Sequence, residues 1–339
     1  MLLPRIMAAM ATMDIMDIIK EQKRKKFAFF LIGLLSVALC IGLVASYHKG
    51  KSTKVNKDSD YRHISYHGKS YKYNTSIISI LLLGIDKTEK NPETENELGQ
   101  SDAMGLLVFD RAKKQVKLIS IPRDSITSIE KTDFDGESLG WGKDHINLAY
   151  AYGKDEKSGC MKAMRAVSKM MMDIPIVRYG SMDLDSLEML QDIVGTLQVK
   201  VPNDSLAKVN GMKKGDVVKI TKENVETFVR TRDTDKDYSA QDRLARQQAY
   251  YEAFYAKIKA MLSDDFESTI AKLYEFVSRI VTNVSYQDIV TFGNMMLEYK
   301  YTSDQYYVLP GKNGKDGDYD AYYLDQSSLK DMIVKIYYE

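Results

Sequence analysis

Two short stretches of this chain concentrate arginine. One is Ser120-Ile121-Pro122-Arg123-Asp124-Ser125; the other is Arg230-Thr231-Arg232, followed by Arg243, Arg246 and Gln247. A guanidinium offers a rigid fork of N–H donors that matches phosphate oxygens two bonds at a time. Five such forks brought together by a fold read as a phosphate or pyrophosphate clamp. Asp86 and Asp102 lie on neighbouring segments, and two carboxylates in one site repel unless a cation or an arginine intervenes. Magnesium takes one or two carboxylates together with phosphate oxygens and water. The expected chemistry is therefore phosphoryl transfer, with Mg2+ or another divalent cation at Asp86 and Asp102.

Each of these residues also has a plainer reading. Asp86 can cap a turn, and Arg123 with Asp124 can form a structural pair. Arg243 and Arg246, three apart on a predicted helix, share a face and can pair with Asp235, Asp237 or Asp242. Asp144 reads as a helix N-cap. His145 is a possible acid–base group, although a lone histidine is more often structural. Zinc-ligand spacings, a Gly-rich phosphate loop of the strand–helix type and a nucleophile elbow are all missing from the sequence.

The elements that must position these residues alternate in type. Ile77 to Gly84 is almost continuously apolar, as in a strand covered on both faces. Leu106 to Phe109 and Val116 to Ile121 read as the next two strands, joined as a hairpin. Helical patterns follow over Met161 to Met172, Leu184 to Val194, Glu223 to Val229 and Ala240 to Met261. Ile176 to Met182 and Leu197 to Val201 read as strands between them. Helices are further expected at Phe266 to Thr282, Tyr286 to Leu297 and Ser327 to Tyr337, with a turn-rich loop from Pro310 to Asp320. Strands interleaved with helices predict an α/β fold with a mixed central β-sheet between helical layers. The run Met161, Met164, Met170, Met171 and Met172 suits core filling, or the lining of an adaptable lipid pocket.

The first fifth of the 339 residues differs from the rest. Phe27 to Tyr47 is 21 residues without a charge, about 31 Å as a helix, long enough to cross a bilayer. Lys20, Lys23, Arg24, Lys25 and Lys26 precede it, favouring a cytoplasmic N-terminus despite Lys49, Lys51, Lys54 and Lys57 beyond. A cleaved signal peptide, leaving at Ala45 and Ser46, is the competing reading. The expected order is a cytoplasmic segment at 1–26, a transmembrane helix at 27–47, a stalk at 48–75 and an extracellular catalytic domain at 76–339. With 48 basic and 47 acidic residues, no bulk field suggests nucleic acid. Cys40 falls inside the span and Cys160 in the body, so the domain must stand on its core alone.

With these residues assembled, the chain resembles the LytR–CpsA–Psr family of membrane-anchored cell-envelope proteins. The likeness covers roughly 76–335. It rests on Leu81-Leu82-Leu83-Gly84-Ile85-Asp86, Ser101-Asp102, Leu118 to Asp124, Ile146-Asn147 with Ala149-Tyr150-Ala151, Phe228 to Arg232, and Arg243 to Gln247. The resemblance implies a sheet sandwiched by helices, with an apolar pocket for a lipid tail. It implies transfer of a glycopolymer, such as teichoic acid or capsule, from a polyprenyl-pyrophosphate carrier to peptidoglycan. By that resemblance Asp86 and Asp102 bind magnesium, while Arg123, Arg230, Arg232, Arg243, Arg246 and Gln247 grip the pyrophosphate. One departure stands out: Gln100 occupies a position where the family often has arginine. Two rival readings are a carrier-binding or transcriptional-attenuator role without catalysis, and a pyrophosphate hydrolase.

Overall fold

The computed structural model describes residues 61–86, 98–133, 135–231 and 239–339, all within one unit spanning 59–339. Its strands and helices follow in chain order. First come β1 (His63–Tyr66), β2 (Lys69–Lys72), β3 (Ile77–Ile85), β4 (Ser101–Asp110), β5 (Gln115–Ile121), β6 (Ile126–Thr132) and β7 (Ser138–His145). Then come α1 (Leu148–Ala151), α2 (Glu156–Met170), β8 (Arg178–Met182), α3 (Leu184–Val194), β9 (Leu197–Lys200), α4 (Ala207–Asn210), β10 (Val217–Ile220) and α5 (Val225–Arg230). The remainder is α6 (Ser239–Asp264), α7 (Phe266–Val277), β11 (Val281–Thr282), α8 (Tyr286–Glu298), β12 (Tyr306–Val308), β13 (Gly311–Asp316), β14 (Tyr319–Leu324) and α9 (Gln326–Tyr337).

Six strands form the central sheet in the order β11-β8-β3-β4-β5-β12. β3 runs parallel to β8 and antiparallel to β4, while β5 pairs antiparallel with β4 and parallel with β12. The sheet is therefore mixed. β3 lacks polar alternation because both of its faces are covered. Leu81, Leu83, Leu106, Val108, Ile119 and Ile121 bury against Ala163 and Val167 of α2 and Ile333 and Tyr337 of α9. Ile80, Phe109 and Val116 face the other way, where Phe109 stacks on Phe292 of α8 with ring centres 5.1 Å apart. A second apolar core joins Leu197, Val199, Ile220, Phe228, Tyr250, Ile258 and Leu262, so the small β9–β10 hairpin packs on α6. These layers match the expected α/β sandwich.

Four local expectations are corrected. The stalk expected over 48–75 does not extend through 61–75, because β1 and β2 pair as a hairpin on the folded unit. Tyr73 is buried there, with the Tyr61 ring 5.4 Å and the Tyr338 ring 5.8 Å away, both edge-on. The Lys72 N–H donates to the Glu339 carbonyl and the Asn74 N–H to that of Tyr337, tying the start of β3 to the end of α9. Asp144 is no helix cap: it lies in β7, 2.6 Å from Lys131 Nζ. The loop expected from Pro310 to Asp320 contains β13 and the start of β14, a paired hairpin. Of the methionines read as core filling, Met170 and Met171 are buried but Met161 is exposed.

The span expected at 27–47, with Cys40, lies outside the described residues. Among those described, no helix is long and apolar enough to cross a membrane, and Cys160 is buried as a free thiol.

Candidate active site

Sheet topology brings the expected residues to one end. β3 and β5 finish where β4 begins, because β4 runs antiparallel to both. Asp86 follows β3, Asp102 is the second residue of β4, and Arg123 stands two residues past β5. The ladder shifts register between Gly84 and Ile85, and the Asp86 N–H donates to the Gln100 carbonyl at 3.1 Å. A Cβ on Gly84 would meet that of Ala103 at 3.0 Å, so a side chain there would push the two strands apart just below the acids. The helical layer supplies the fourth residue, Arg230, the last of α5.

These four side chains form two ion pairs. Arg123 Nη1 donates to Asp102 Oδ1, and Arg123 Nε to Asp124 Oδ1 at 3.2 Å. Arg230 Nη2 donates to Asp86 Oδ1 at 2.7 Å, and its Nη1 to Glu226 Oε1, one turn earlier on α5, at 2.5 Å. Burial pushes the Asp102 carboxyl above its ordinary range. The negative charge of Asp86 pushes it the same way, and Arg123 and Arg230 pull it back only in part. Asp102 thus senses all three of the others, which makes this a single electrostatic site. It remains open, since the Arg123, Arg230 and Asp86 side chains are 30%, 37% and 48% exposed.

The loop around Arg123 is held on several sides. Asn147 donates its N–H to the Arg123 carbonyl at 3.2 Å, and its carbonyl accepts from Ser101 Oγ at 3.1 Å. Asn147 Nδ2 also donates to Gln100 Oε1 at 2.9 Å. Ser125 Oγ donates to the Pro122 carbonyl at 2.6 Å. From the C-terminal hairpin, the Tyr322 N–H donates to the Asp124 carbonyl at 2.7 Å. His145 belongs to the same brace, with Nε2 donating to the Asp320 carbonyl at 2.9 Å. That bond fits a structural histidine better than an acid–base group.

The second arginine cluster divides. Arg232 lies outside the described residues, as do Asp235 and Asp237. Arg246 is fully buried, so the pyrophosphate grip expected of it does not fit its position. Its Nε donates to the Phe228 carbonyl at 2.8 Å, Nη2 to the Thr231 carbonyl and Nη1 to Ser205 Oγ. Burial lowers its guanidinium to about 10, with Asp242 opposing and Arg243 reinforcing that shift, so it stays charged at neutral pH. Gln247 Nε2 donates to the Val229 carbonyl at 3.1 Å. Arg246 and Gln247 therefore fasten the segment that carries Arg230 to α6. Arg243 lies one turn before Arg246 and near enough for its charge to be felt there. Glu226 and Ser205 went unnoticed in the sequence. The spacing of Glu226 to Arg230, four apart on a helix, was a usable signal; nothing local marked Ser205.

Asp86 and Asp102 suit a divalent cation. Their mutual repulsion is what such an ion relieves, and hard carboxylate oxygens are its usual ligands. Among the described residues there is no group of three or more His, Cys, Asp or Glu side chains placed to hold a metal. Magnesium takes one or two carboxylates, with phosphate and water completing its shell.

Carboxylates and guanidiniums thus converge at the strand ends of an α/β sandwich, where open sheets of this class place their ligands. The model of the LytR_cpsA_psr family matches residues 42–336, and the chain belongs to that family. It is 29% identical over 273 residues to the polyisoprenyl-teichoic acid–peptidoglycan teichoic acid transferase TagT of Bacillus subtilis (strain 168), covering 75% of this chain and 78% of that protein. It is 25% identical over 319 residues to TagU of Bacillus mycoides (strain KBAB4), a transferase of the same name, covering 91% and 96%. The fold is shared with B. subtilis TagV, with a TM-score of 0.58 at 20% identity over 78% of this chain and 96% of that one. A structure of TagT bound to LIIa-WTA superposes with a TM-score of 0.57 at 22% identity over 83% and 96%.

Proposed function

We propose that this chain is a membrane-anchored phosphotransferase that moves a glycopolymer from a polyprenyl-pyrophosphate carrier to peptidoglycan. The observation that carries this reading is the pairing of Arg123 with Asp102 and Arg230 with Asp86 at one end of the sheet. Relatives named as teichoic acid transferases support it. In the reaction an acceptor hydroxyl oxygen bonds to the phosphorus that carries the glycan. The bond from that phosphorus to the bridging oxygen breaks, and polyprenyl phosphate leaves. Asp102 or Asp86 takes the hydroxyl proton; Asp102 is the stronger base of its type because burial raises its affinity for a proton. Arg123 and Arg230 turn from the carboxylates to the pyrophosphate and balance the charge that builds on the leaving phosphate. Arg232 and Arg243 add to that grip from the second cluster, and Gln247 holds the Val229 carbonyl beside Arg230.

Asp86 and Asp102 would hold magnesium, which when bound supplies charge neutralisation at the phosphates. A membrane span at 27–47 would keep the domain beside the membrane, on its outer side, where the carrier and the acceptor meet.

The test is reconstitution of the full chain with a lipid-pyrophosphate glycan and a peptidoglycan acceptor, with and without magnesium. Glycan should become linked to the acceptor. Arg123→Ala should lower kcat/KM by about 10²–10³-fold, the usual cost of a lost transition-state donor, with an unchanged melting temperature. Binding of the carrier without linkage, unaffected by Arg123→Ala, would favour a non-catalytic carrier-binding protein.

A further inference from the structure

Beyond the arginine site, one lobe is strongly basic. Residues 197–223 carry six lysines, at 200, 208, 213, 214, 219 and 222, against three acids, Asp204, Asp216 and Glu223. All six lysines are exposed. The two aspartates are turned onto the backbone: Asp204 Oδ1 accepts the Lys214 N–H at 2.8 Å and Asp216 Oδ2 the Lys213 N–H at 2.9 Å. Lys222 sits 3.5 Å from Asp192, and the other five ammoniums make no ion pair among the described residues. Two apolar side chains stand among the lysines, Val209 at 58% and Val217 at 65% exposure.

Strand pairing gathers this charge on one face. Leu197, Val199 and Ile220 turn inward to the second core. Alternation therefore leaves Lys200 opposite Val217 on the solvent face of β9–β10, with Lys219 opposite Gln198 further along. The chain reverses at the Lys200 end, where the Val201 N–H donates to the Asp216 carbonyl and the Gly215 N–H to that of Val201. Lys208, Val209, Lys213 and Lys214 all lie in that reversal. From the lobe, α5 follows β10 and ends on Arg230, its 6 residues measuring about 9 Å.

We infer that this lobe docks on the bilayer, its lysines against anionic phospholipid headgroups and Val209 and Val217 at the acyl boundary. The inference rests on the reading of the chain as an anchored transferase. A span at 27–47 leaves residues 48–60 to reach Tyr61, at most about 45 Å of extended chain. The domain then meets the membrane at high local concentration. An anionic leaflet attracts clustered lysines, and that attraction fades within a Debye length. The exposed valines single out a membrane over a soluble polyanion, because only the acyl boundary takes them out of water. Docked in this way, the lobe brings Arg230, at the end of α5, to the level of the headgroups, where a lipid-borne pyrophosphate sits.

The test is lysine footprinting of the full chain in lipid nanodiscs, with an amine-acylating reagent read out by mass spectrometry. In discs containing phosphatidylglycerol, Lys208 and Lys219 should react on the order of tenfold more slowly than in discs of phosphatidylcholine alone. Salt at roughly 1 M, where the Debye length is about 3 Å, should abolish the difference. Lys157, exposed on α2 across the sheet, should react alike in both. A variant carrying Lys200→Gln, Lys213→Gln and Lys214→Gln should lose the protection, and arginine at the same three positions should restore it. Equal reactivity in the two lipids overturns the inference, as does protection that survives in the glutamine variant. Protection by lipid-free poly(glycerol phosphate) but not by phosphatidylglycerol also overturns it, by making the lobe a polymer contact. Labelling needs no turnover, so transfer without protection sinks only the docking, and protection without transfer sinks only the transferase reading.

Discussion

Arg123 and Arg246 show how one residue type does opposite work. Arg123 is part-exposed beside a carboxylate, open to solvent. Arg246 is sealed in, its fork spent on two carbonyls and a hydroxyl. Sequence spacing placed both in one clamp, because nothing in Arg243-Leu244-Ala245-Arg246 reveals that Ser205, 41 residues away, closes over the guanidinium. Arg246→Ala would orphan those acceptors and should cost roughly 2–4 kcal/mol, lowering the melting temperature by about 5–15 °C. An unchanged melting curve would make it a substrate contact after all. The pH profile tests Asp102. Its carboxyl titrates above the ordinary range, so the folded state holds its proton longer than the unfolded chain does. Ionisation then costs stability as pH rises through the folded value, while the base it creates appears over the same window. Followed by NMR in the cation-free protein, the Asp102 carboxyl should titrate above the usual aspartate position, and that titration should vanish in Asp102→Asn.

At the scale of elements, apolar runs were legible and polar ones were not. Ile77 to Gly84 read as a doubly covered strand because nothing interrupts its apolar character, and β3 occupies that place. The hairpin β13–β14 was missed. Its sequence, Gly311-Lys312-Asn313-Gly314-Lys315-Asp316, carries turn formers and no alternation, since both strands are mostly solvent-facing and are held by pairing with each other. That missed hairpin matters for the site, because Tyr322 braces the Asp124 carbonyl. Tyr322→Pro removes this donor and should lower kcat/KM by about tenfold or more, since small misplacements of a positioned group are costly. Calorimetry on the same variant separates lost alignment from general unfolding. Asp144 was misread for a related reason. An aspartate ahead of a helical pattern suggests a cap, yet its ammonium partner Lys131 arrives from the adjacent strand.

For the whole molecule, the non-local closure of the chain was invisible in advance. Tyr61 and Tyr73 are far in sequence from Tyr338, and only the sheet's layout brings them under one cover. Removing residues 61–72 should therefore destabilise the domain rather than shorten a tether, lowering its melting temperature by about 5–10 °C if two to three kcal/mol are lost. A truncated protein that melts like the full chain would restore the stalk expected there. The division between sheet and helical layer was legible in outline, but not the way Arg230 bridges them to Asp86.

The backbone tie between Lys72 and Glu339 fixes the position of Glu339 as well. It lies beside the beginning of β3, while the proposed site sits past that strand's far end. Nine extended residues separate the two by about 30 Å. A fluorophore or affinity handle appended after Glu339 would hang from the pole opposite the reacting groups, so catalysis could be watched through it without obstruction.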